Sequence, residues 1–80
     1  MDRLKKGMLA KSLAGHDKGK LYVILQMDEA YVYLVDGEIR TIGNPKKKKW
    51  KHVQIIRMAN DIETTDDVRI KRILKEYQNS

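Results

Sequence analysis

The sequence is 80 residues long, which is enough for one small domain that hides roughly 60–65% of the surface its unfolded chain exposes. A deep active site that excludes water is therefore not expected. Seventeen Lys and Arg against eleven Asp and Glu give a formal net charge of +6. Polyanions are natural partners for such a chain, with acidic proteins and anionic membranes as alternatives.

Cysteine is absent, which excludes disulfides, thiol chemistry and a cysteine-based zinc site. No run approaches the roughly 18 apolar residues that span a bilayer, and residues 1–8 lack the apolar stretch of a signal peptide. These observations predict a cytoplasmic protein with no membrane partner.

The positive charge is concentrated in the first part of the chain. Residues 1–57 hold thirteen Lys or Arg and six Asp or Glu, a net of +7, whereas residues 58–80 hold four and five, a net of −1. The densest point is a group of five lysines within six positions, followed directly by His52. These lysines are Lys46, Lys47, Lys48, Lys49 and Lys51.

Five short strands are predicted before residue 58, because apolar and β-branched segments alternate with turn residues and no helical stripe can be drawn. The predicted strands are Gly7 to Leu13, Leu21 to Met27, Ala30 to Val35, Ile39 to Ile42, and His52 to Arg57. The second and third strands are separated by two acidic residues and read as a hairpin. Asp36-Gly37 predicts a second hairpin that returns through Ile39 to Ile42, since this pair suits tight two-residue connections.

Gly43-Asn44-Pro45 interrupts the strand pattern and opens the lysine run. The lysines are therefore predicted to lie on a loop between the fourth and fifth strands. Five strands with a turn every eight to twelve residues are typical of a small antiparallel barrel or sandwich. A barrel is favoured, because closure removes exposed sheet edges.

The last segment predicts a helix. Thr64 or Thr65 is the candidate N-cap, and acidic residues precede basic ones along the segment. An apolar stripe at helical spacing indicates that this helix packs on the barrel. The stripe consists of Ile70, Ile73, Leu74 and Tyr77. The expected division is a barrel over residues 1–60 and the packed helix over 61–80.

The turn between the first two strands, GHDKGK from Gly15 to Lys20, resembles the KOW motif of ribosomal proteins and transcription elongation factors, with Gly19 at the motif's glycine. Together with Asp36-Gly37, Arg40 and the basic segment ending at Val53, the stretch from Gly7 to Ile56 is similar to the L-fourteen-e family of large-subunit ribosomal proteins and to related short bacterial KOW proteins. The resemblance implies an SH3-like five-stranded antiparallel barrel that binds RNA, usually ribosomal RNA, and so acts in translation. It covers about fifty of the 80 residues and leaves out the C-terminal helix.

The candidate RNA-binding residues are cationic, aromatic or turn residues. They are His16, Lys18, Gly19, Lys20, Arg40, Lys46, Lys47, Lys48, Lys49, Trp50, Lys51 and His52. Clustered lysines can displace condensed counterions from phosphates, although the run could equally be a solvated loop. The glycines could allow a phosphate to approach the backbone or could only satisfy turn geometry. Trp50 could stack on a base or plug the barrel.

The remaining candidates have alternative interpretations. Tyr31 and Tyr33 should share one sheet face, as a stacking platform or, more simply, as packing residues together with Tyr22. Arg40 could pair with the nearby Asp36 and Glu38 or reach RNA. The basic residues of the helix, Lys71, Arg72 and Lys75, are balanced by acidic neighbours and suggest an ordinary solvated face.

Catalysis is not predicted. Ser12, His16 and Asp17 are close in sequence, but they lie on a strand end and a turn that give no reason to expect a pocket. Two histidines without cysteine make a poor metal site. We expect a monomer with no cofactor, no metal and no small-molecule substrate. The rival functions are an SH3-like protein-interaction module, which would need its aromatic residues to converge in a groove, and a transcription-elongation-type KOW factor.

Overall fold

Five strands form one antiparallel sheet, and a single helix follows them. The computed structural model describes residues 6–58, 60–62 and 65–79. The elements are β1 (Leu9–Ser12), β2 (Leu21–Met27), β3 (Tyr31–Val35), β4 (Lys46–Lys49), a short 3-10 helix (Trp50–His52), β5 (Val53–Ile56) and α1 (Asp67–Gln78). The prediction of a mainly β chain with a C-terminal helix is confirmed. No helix within the described residues is long and apolar enough to cross a membrane.

The sheet is open. Its strand order is β4-β3-β2-β1-β5, so β4 and β5 are its two edges. The prediction of a closed barrel is therefore wrong in this respect. Lysine side chains of β4 contact Asp17 in the turn between β1 and β2.

The first predicted hairpin is confirmed. β2 and β3 pair antiparallel, and the Asp28 N–H donates to the Tyr31 carbonyl where the chain reverses. The register shifts between Ile24 and Gln26, which places a bulge at Leu25. Such a bulge increases the local twist and helps the sheet to curl.

The predicted fourth strand is wrong, because Ile39 to Ile42 form turns and the lysine run itself is β4. Side chains satisfy the backbone of the 39–42 segment in place of a neighbouring strand. The Asp36 carboxylate accepts from the Glu38 and Arg40 N–H groups at 2.9 and 2.8 Å, and the Asp67 carboxylate accepts from the Ile42 N–H at 2.9 Å. The lysines therefore do not lie on a loop.

The two faces of the sheet bury separate apolar clusters. One face, which we call the inner face, carries Met8, Ala10, Tyr22, Ile24, Val32, Leu34 and Val53. The outer face carries Leu9, Val23 and Val35, which pack with Ile62 and with Ile70 and Leu74 of α1. Strand alternation produces this division, because successive side chains point to opposite faces.

Helix α1 lies on the outer face, as the apolar stripe predicted. Ile70 and Leu74 are buried, and Ile73 and Tyr77 pack against the same cluster. The N-cap is Asp66, whose side chain accepts from the Arg69 N–H, so Thr65 is not the cap, and Thr64 lies outside the described residues. Gly37 lets the helix approach, because a Cβ at its φ of +81° would overlap the carbonyl of Asp67.

Candidate nucleic-acid interface

Strand alternation divides the lysines of β4 into two pairs. Lys46 and Lys48 lie opposite Leu34 and Val32 of β3, whose side chains belong to the inner face. Lys47 and Lys49 lie opposite Tyr33 and Tyr31, so they occupy the outer face. The sequence run of four identical residues therefore supplies two chemically different sites.

The inner pair holds a carboxylate of the protein itself. The Nζ atoms of Lys46 and Lys48 lie 3.1 and 3.3 Å from the two carboxylate oxygens of Asp17, and Lys48 also donates to the Ala14 carbonyl at 3.0 Å. Lys48 is only 10% exposed and Lys46 is 27% exposed. These two ammonium groups are therefore engaged within the fold.

Asp17 is the centre of this cluster. Besides the two lysines, it accepts hydrogen bonds from the hydroxyls of Ser12 at 2.8 Å and Tyr22 at 2.6 Å. Burial alone would raise the pKa of Asp17, but the hydrogen bonds from Tyr22, Ser12 and the lysines outweigh it and hold that pKa well below its usual range. Burial and the nearby Asp17 carboxylate raise the pKa of Tyr22.

The GHDKGK turn is held by its own backbone. Gly15 and Gly19 have φ angles of +85° and +91°, which favour glycine, and the Gly19 N–H donates to the Ser12 carbonyl at 2.8 Å. Apart from Gly19 itself and its two chain neighbours, no residue has an atom within 4 Å of the position that a Cβ on Gly19 would take, so this side of the turn is open. His16 and Lys18 are exposed. Turn geometry accounts for both glycines without a ligand.

Lys20 is also ion-paired. Its Nζ contacts the carboxylate of Asp36, which is 7% exposed. Burial would raise the pKa of Asp36, but Lys20 and the N–H groups of Glu38 and Arg40 lower it. Lys20, like Lys46 and Lys48, thus neutralises an internal acid.

The outer pair of lysines lies opposite two tyrosines of β3. Lys47 Nζ lies 4.1 Å from the centroid of the Tyr31 ring, within cation–π range, and Lys47 and Lys49 are both exposed. Tyr33 donates its hydroxyl to Asp28 at 3.0 Å, which fixes the ring and raises the pKa of this tyrosine. We call Tyr31, Tyr33, Lys47 and Lys49 the tyrosine–lysine surface. The prediction that the two tyrosines share one face is confirmed.

Trp50 is anchored in the protein. Its side chain packs against the inner cluster, and its indole N–H donates to the Asp28 carbonyl at 2.9 Å. Lys51 is exposed and His52 is half-buried in the same short helix. The anchor holds the hairpin end of β2 and β3 against the chain that follows β4.

Arg40 belongs to the turn that follows β3. Its backbone accepts from the N–H groups of Asp36 and Gly37 and donates to the Asp36 carboxylate. Asp36 and Glu38, the acids nearest to Arg40 in the sequence, pair with Lys20 and Lys71 instead. Among the described residues, its guanidinium makes no ion pair.

The sequence pattern indicated the lysines as candidate binding residues, but it did not indicate that Asp17 would bind two of them. The sequence does show Asp17 in the turn, but its partners come from three separate segments, and strand pairing across the sheet brings them together. Within the described part of the chain, no group of three or more His, Cys, Asp or Glu could hold a metal ion. Ser12 donates to Asp17, and His16 is not part of that contact.

No family model matches the chain, and no curated protein matches it significantly. The interpretation of the tyrosine–lysine surface therefore depends on the geometry above and on the sequence resemblance.

Proposed function

We propose that the protein is an RNA-binding module associated with the ribosome, and that the tyrosine–lysine surface is its main contact with RNA. The observation that carries the proposal is the outer face of β3 and β4, where two exposed lysines lie directly opposite two tyrosines. Cations that follow a phosphate backbone beside rings that stack on bases are the usual components of such surfaces.

The ion pairs reduce the number of lysines available for phosphate. Within the lysine run, Lys47, Lys49 and Lys51 are exposed and make no ion pair among the described residues, whereas two others hold Asp17. If each of the three neutralises one phosphate, the run contributes an exponent of about −2 to −3 to the salt dependence of RNA binding. A fourfold rise in salt then weakens binding roughly 20- to 40-fold.

The tyrosines supply the part of the interaction that does not depend on salt. A base stacked on an aromatic side chain contributes about 1–3 kcal/mol by alanine substitution, with little dependence on base identity. Tyr31 and Tyr33 are only half-buried, and the hydrogen bond to Asp28 keeps the Tyr33 ring in place. We therefore expect modest sequence preference.

Ribosomal RNA is the proposed target because of the KOW-like turn. The GHDKGK turn exposes Lys18 and leaves the space beside Gly19 open, and folded RNA offers shape, backbone and 2′-hydroxyls to such a surface. A cytoplasmic location and a role in translation accompany this proposal. No reaction is proposed.

The test is the salt dependence of binding to a ribosomal RNA stem-loop. Lys47→Gln with Lys49→Gln should lower the magnitude of the exponent by about 1.4 to 1.8, since two phosphate contacts are removed. The matched control is Arg57→Gln with Arg69→Gln, which removes the same charge from exposed positions outside the tyrosine–lysine surface. Equal effects of the two double variants would contradict the proposal, because net charge alone would then explain binding.

The rival protein-interaction module needs Tyr22, Tyr31, Tyr33 and Trp50 in one groove. Tyr22 and Trp50 belong to the inner cluster, whereas Tyr31 and Tyr33 lie on the outer face. This separation favours RNA over a peptide partner. Binding of a protein partner that needs Tyr31 and Tyr33 but survives Lys47→Gln with Lys49→Gln would support the rival instead.

A further inference from the structure

A groove lies between the β1–β2 turn and helix α1. Its volume is about 480 Å³, and it is bounded by Gly19, Lys20 and Leu21 on one side and by the helix on the other. Asp36 and Glu38 also line it. The helix residues that line it are Lys71, Arg72, Leu74, Lys75 and Gln78.

The groove carries uncompensated positive charge. Each of its two carboxylates already has a lysine: Lys20 contacts Asp36, and Lys71 lies 3.4 Å from Glu38. Arg72 and Lys75 remain, and neither makes an ion pair among the described residues. The lining therefore has four cations and two anions, a net charge of +2.

The helix places these spare cations close together. Arg72 and Lys75 are three positions apart and Lys71 and Lys75 are four apart, so their side chains are neighbours on the helix surface. Like charges at these spacings repel one another on a helix surface. An anion between them removes this repulsion.

The opposite wall leaves room for a ligand. Space beside Gly19 is open to 4 Å, whereas Gly37 is closed off by the helix. A phosphate could thus enter between the turn and the helix without displacing a side chain of the turn. The charge of the groove and its open side together fit an anionic group.

We propose that α1 completes the RNA-binding surface by holding a backbone phosphate of the bound RNA between Arg72 and Lys75. This inference rests on the proposed function and extends it to the helix, which the KOW-like resemblance does not cover. The bound RNA would then contact the protein at both the tyrosine–lysine surface and this groove.

The test uses the full chain and the same ribosomal RNA stem-loop. Arg72→Gln with Lys75→Gln should reduce the magnitude of the salt exponent by about 0.7 to 0.9, because one phosphate contact is lost. Arg57→Gln with Arg69→Gln is again the matched control, since neither residue lines the groove. Thermal unfolding of each variant checks that these exposed substitutions leave the fold intact.

The outcomes separate the two proposals. An exponent equal to that of the control would overturn the helix site, while the tyrosine–lysine surface would stand if Lys47→Gln with Lys49→Gln still weakened binding. Absence of RNA binding by the unaltered protein would overturn both. As a second measurement, inorganic pyrophosphate should shift the amide NMR signals of Gly19, Arg72 and Lys75, and unchanged signals there would count against the groove as a phosphate site.

Discussion

At the scale of single residues, Asp17 decides what the lysine run can do. One carboxylate in the β1–β2 turn accepts from two lysines and two hydroxyls. A carboxylate so placed joins the edge strand β4 to the turn. The same contacts withdraw Lys46 and Lys48 from any external partner.

Replacing this carboxylate should destabilise the fold. Asp17→Asn leaves two half-buried ammonium groups without a counter-charge, and we expect a loss of about 2–4 kcal/mol in the free energy of unfolding. The upper limit stays below that of a fully buried pair because Lys46 is 27% exposed. Urea unfolding measures the loss. Glu29→Gln, at an exposed hairpin position, is the control and should change stability little.

The two internal carboxylates also predict the pH dependence of stability. Hydrogen bonds and lysines hold the pKa values of Asp17 and Asp36 below the ordinary value of about 3.9, despite burial that raises them. A lowered pKa contributes stability that is present above the unfolded pKa and is lost as the pH falls through the folded pKa. The free energy of unfolding should therefore fall below about pH 4, and Asp17→Asn should make that fall shallower. An equal fall in the variant would show that Asp17 is not responsible.

At the scale of elements, lysine substitutions on the two faces of β4 should have different effects on stability. Lys46→Gln with Lys48→Gln removes the partners of Asp17 and should lower the free energy of unfolding by about 1–3 kcal/mol. Lys47→Gln with Lys49→Gln removes the same charge from the outer face and should stay within about 0.5 kcal/mol of the unaltered protein. Chemical unfolding of both double variants compares them directly. Similar losses would mean that strand alternation does not divide the lysines.

Two glycines test how the helix is seated. Gly37→Ala should cost about 2–4 kcal/mol, since a Cβ there both adopts a positive φ and meets the start of α1. Gly19→Ala has the same backbone conformation but open space around it, so about 1–2 kcal/mol is expected. Thermal unfolding should rank them in this order. A larger loss at Gly19 would contradict the described approach of the helix.

Sequence pattern predicted most elements but failed at two neighbouring ones. Alternation and turn residues located β1, β2, β3 and β5, and helical spacing located α1. Ile39 to Ile42 has a strand-like pattern, yet its Arg40 and Ile42 N–H groups donate to the carboxylates of Asp36 and Asp67. Four consecutive lysines show no alternation of apolar and polar residues, so the sequence pattern could not predict β4.

The edge position of β4 explains how a run of lysines can form a strand. β4 is at the end of the sheet, and lysine on an edge strand discourages pairing with other chains. The residues of β3 that lie opposite these lysines are apolar or aromatic. The binding of Lys46 and Lys48 to Asp17 could not be predicted from the sequence. Asp17 and β4 are far apart in the chain, and only the order of the strands in the sheet brings them together.

At the scale of the whole molecule, the surplus charge is divided between structure and surface. Of the seven lysines predicted to bind phosphate, Lys20, Lys46 and Lys48 hold internal acids. The other four are exposed without an ion pair among the described residues. They are Lys18, Lys47, Lys49 and Lys51. The net charge of +6 therefore overstates the cations available at the tyrosine–lysine surface.

The most direct test of RNA binding at this surface is ultraviolet crosslinking in cells, followed by mass spectrometry of the attached peptide and sequencing of the attached RNA. The account predicts nucleotide adducts on Tyr31 or Tyr33 and enrichment of one ribosomal RNA site. Adducts confined to other parts of the chain, or no RNA above background, would contradict it.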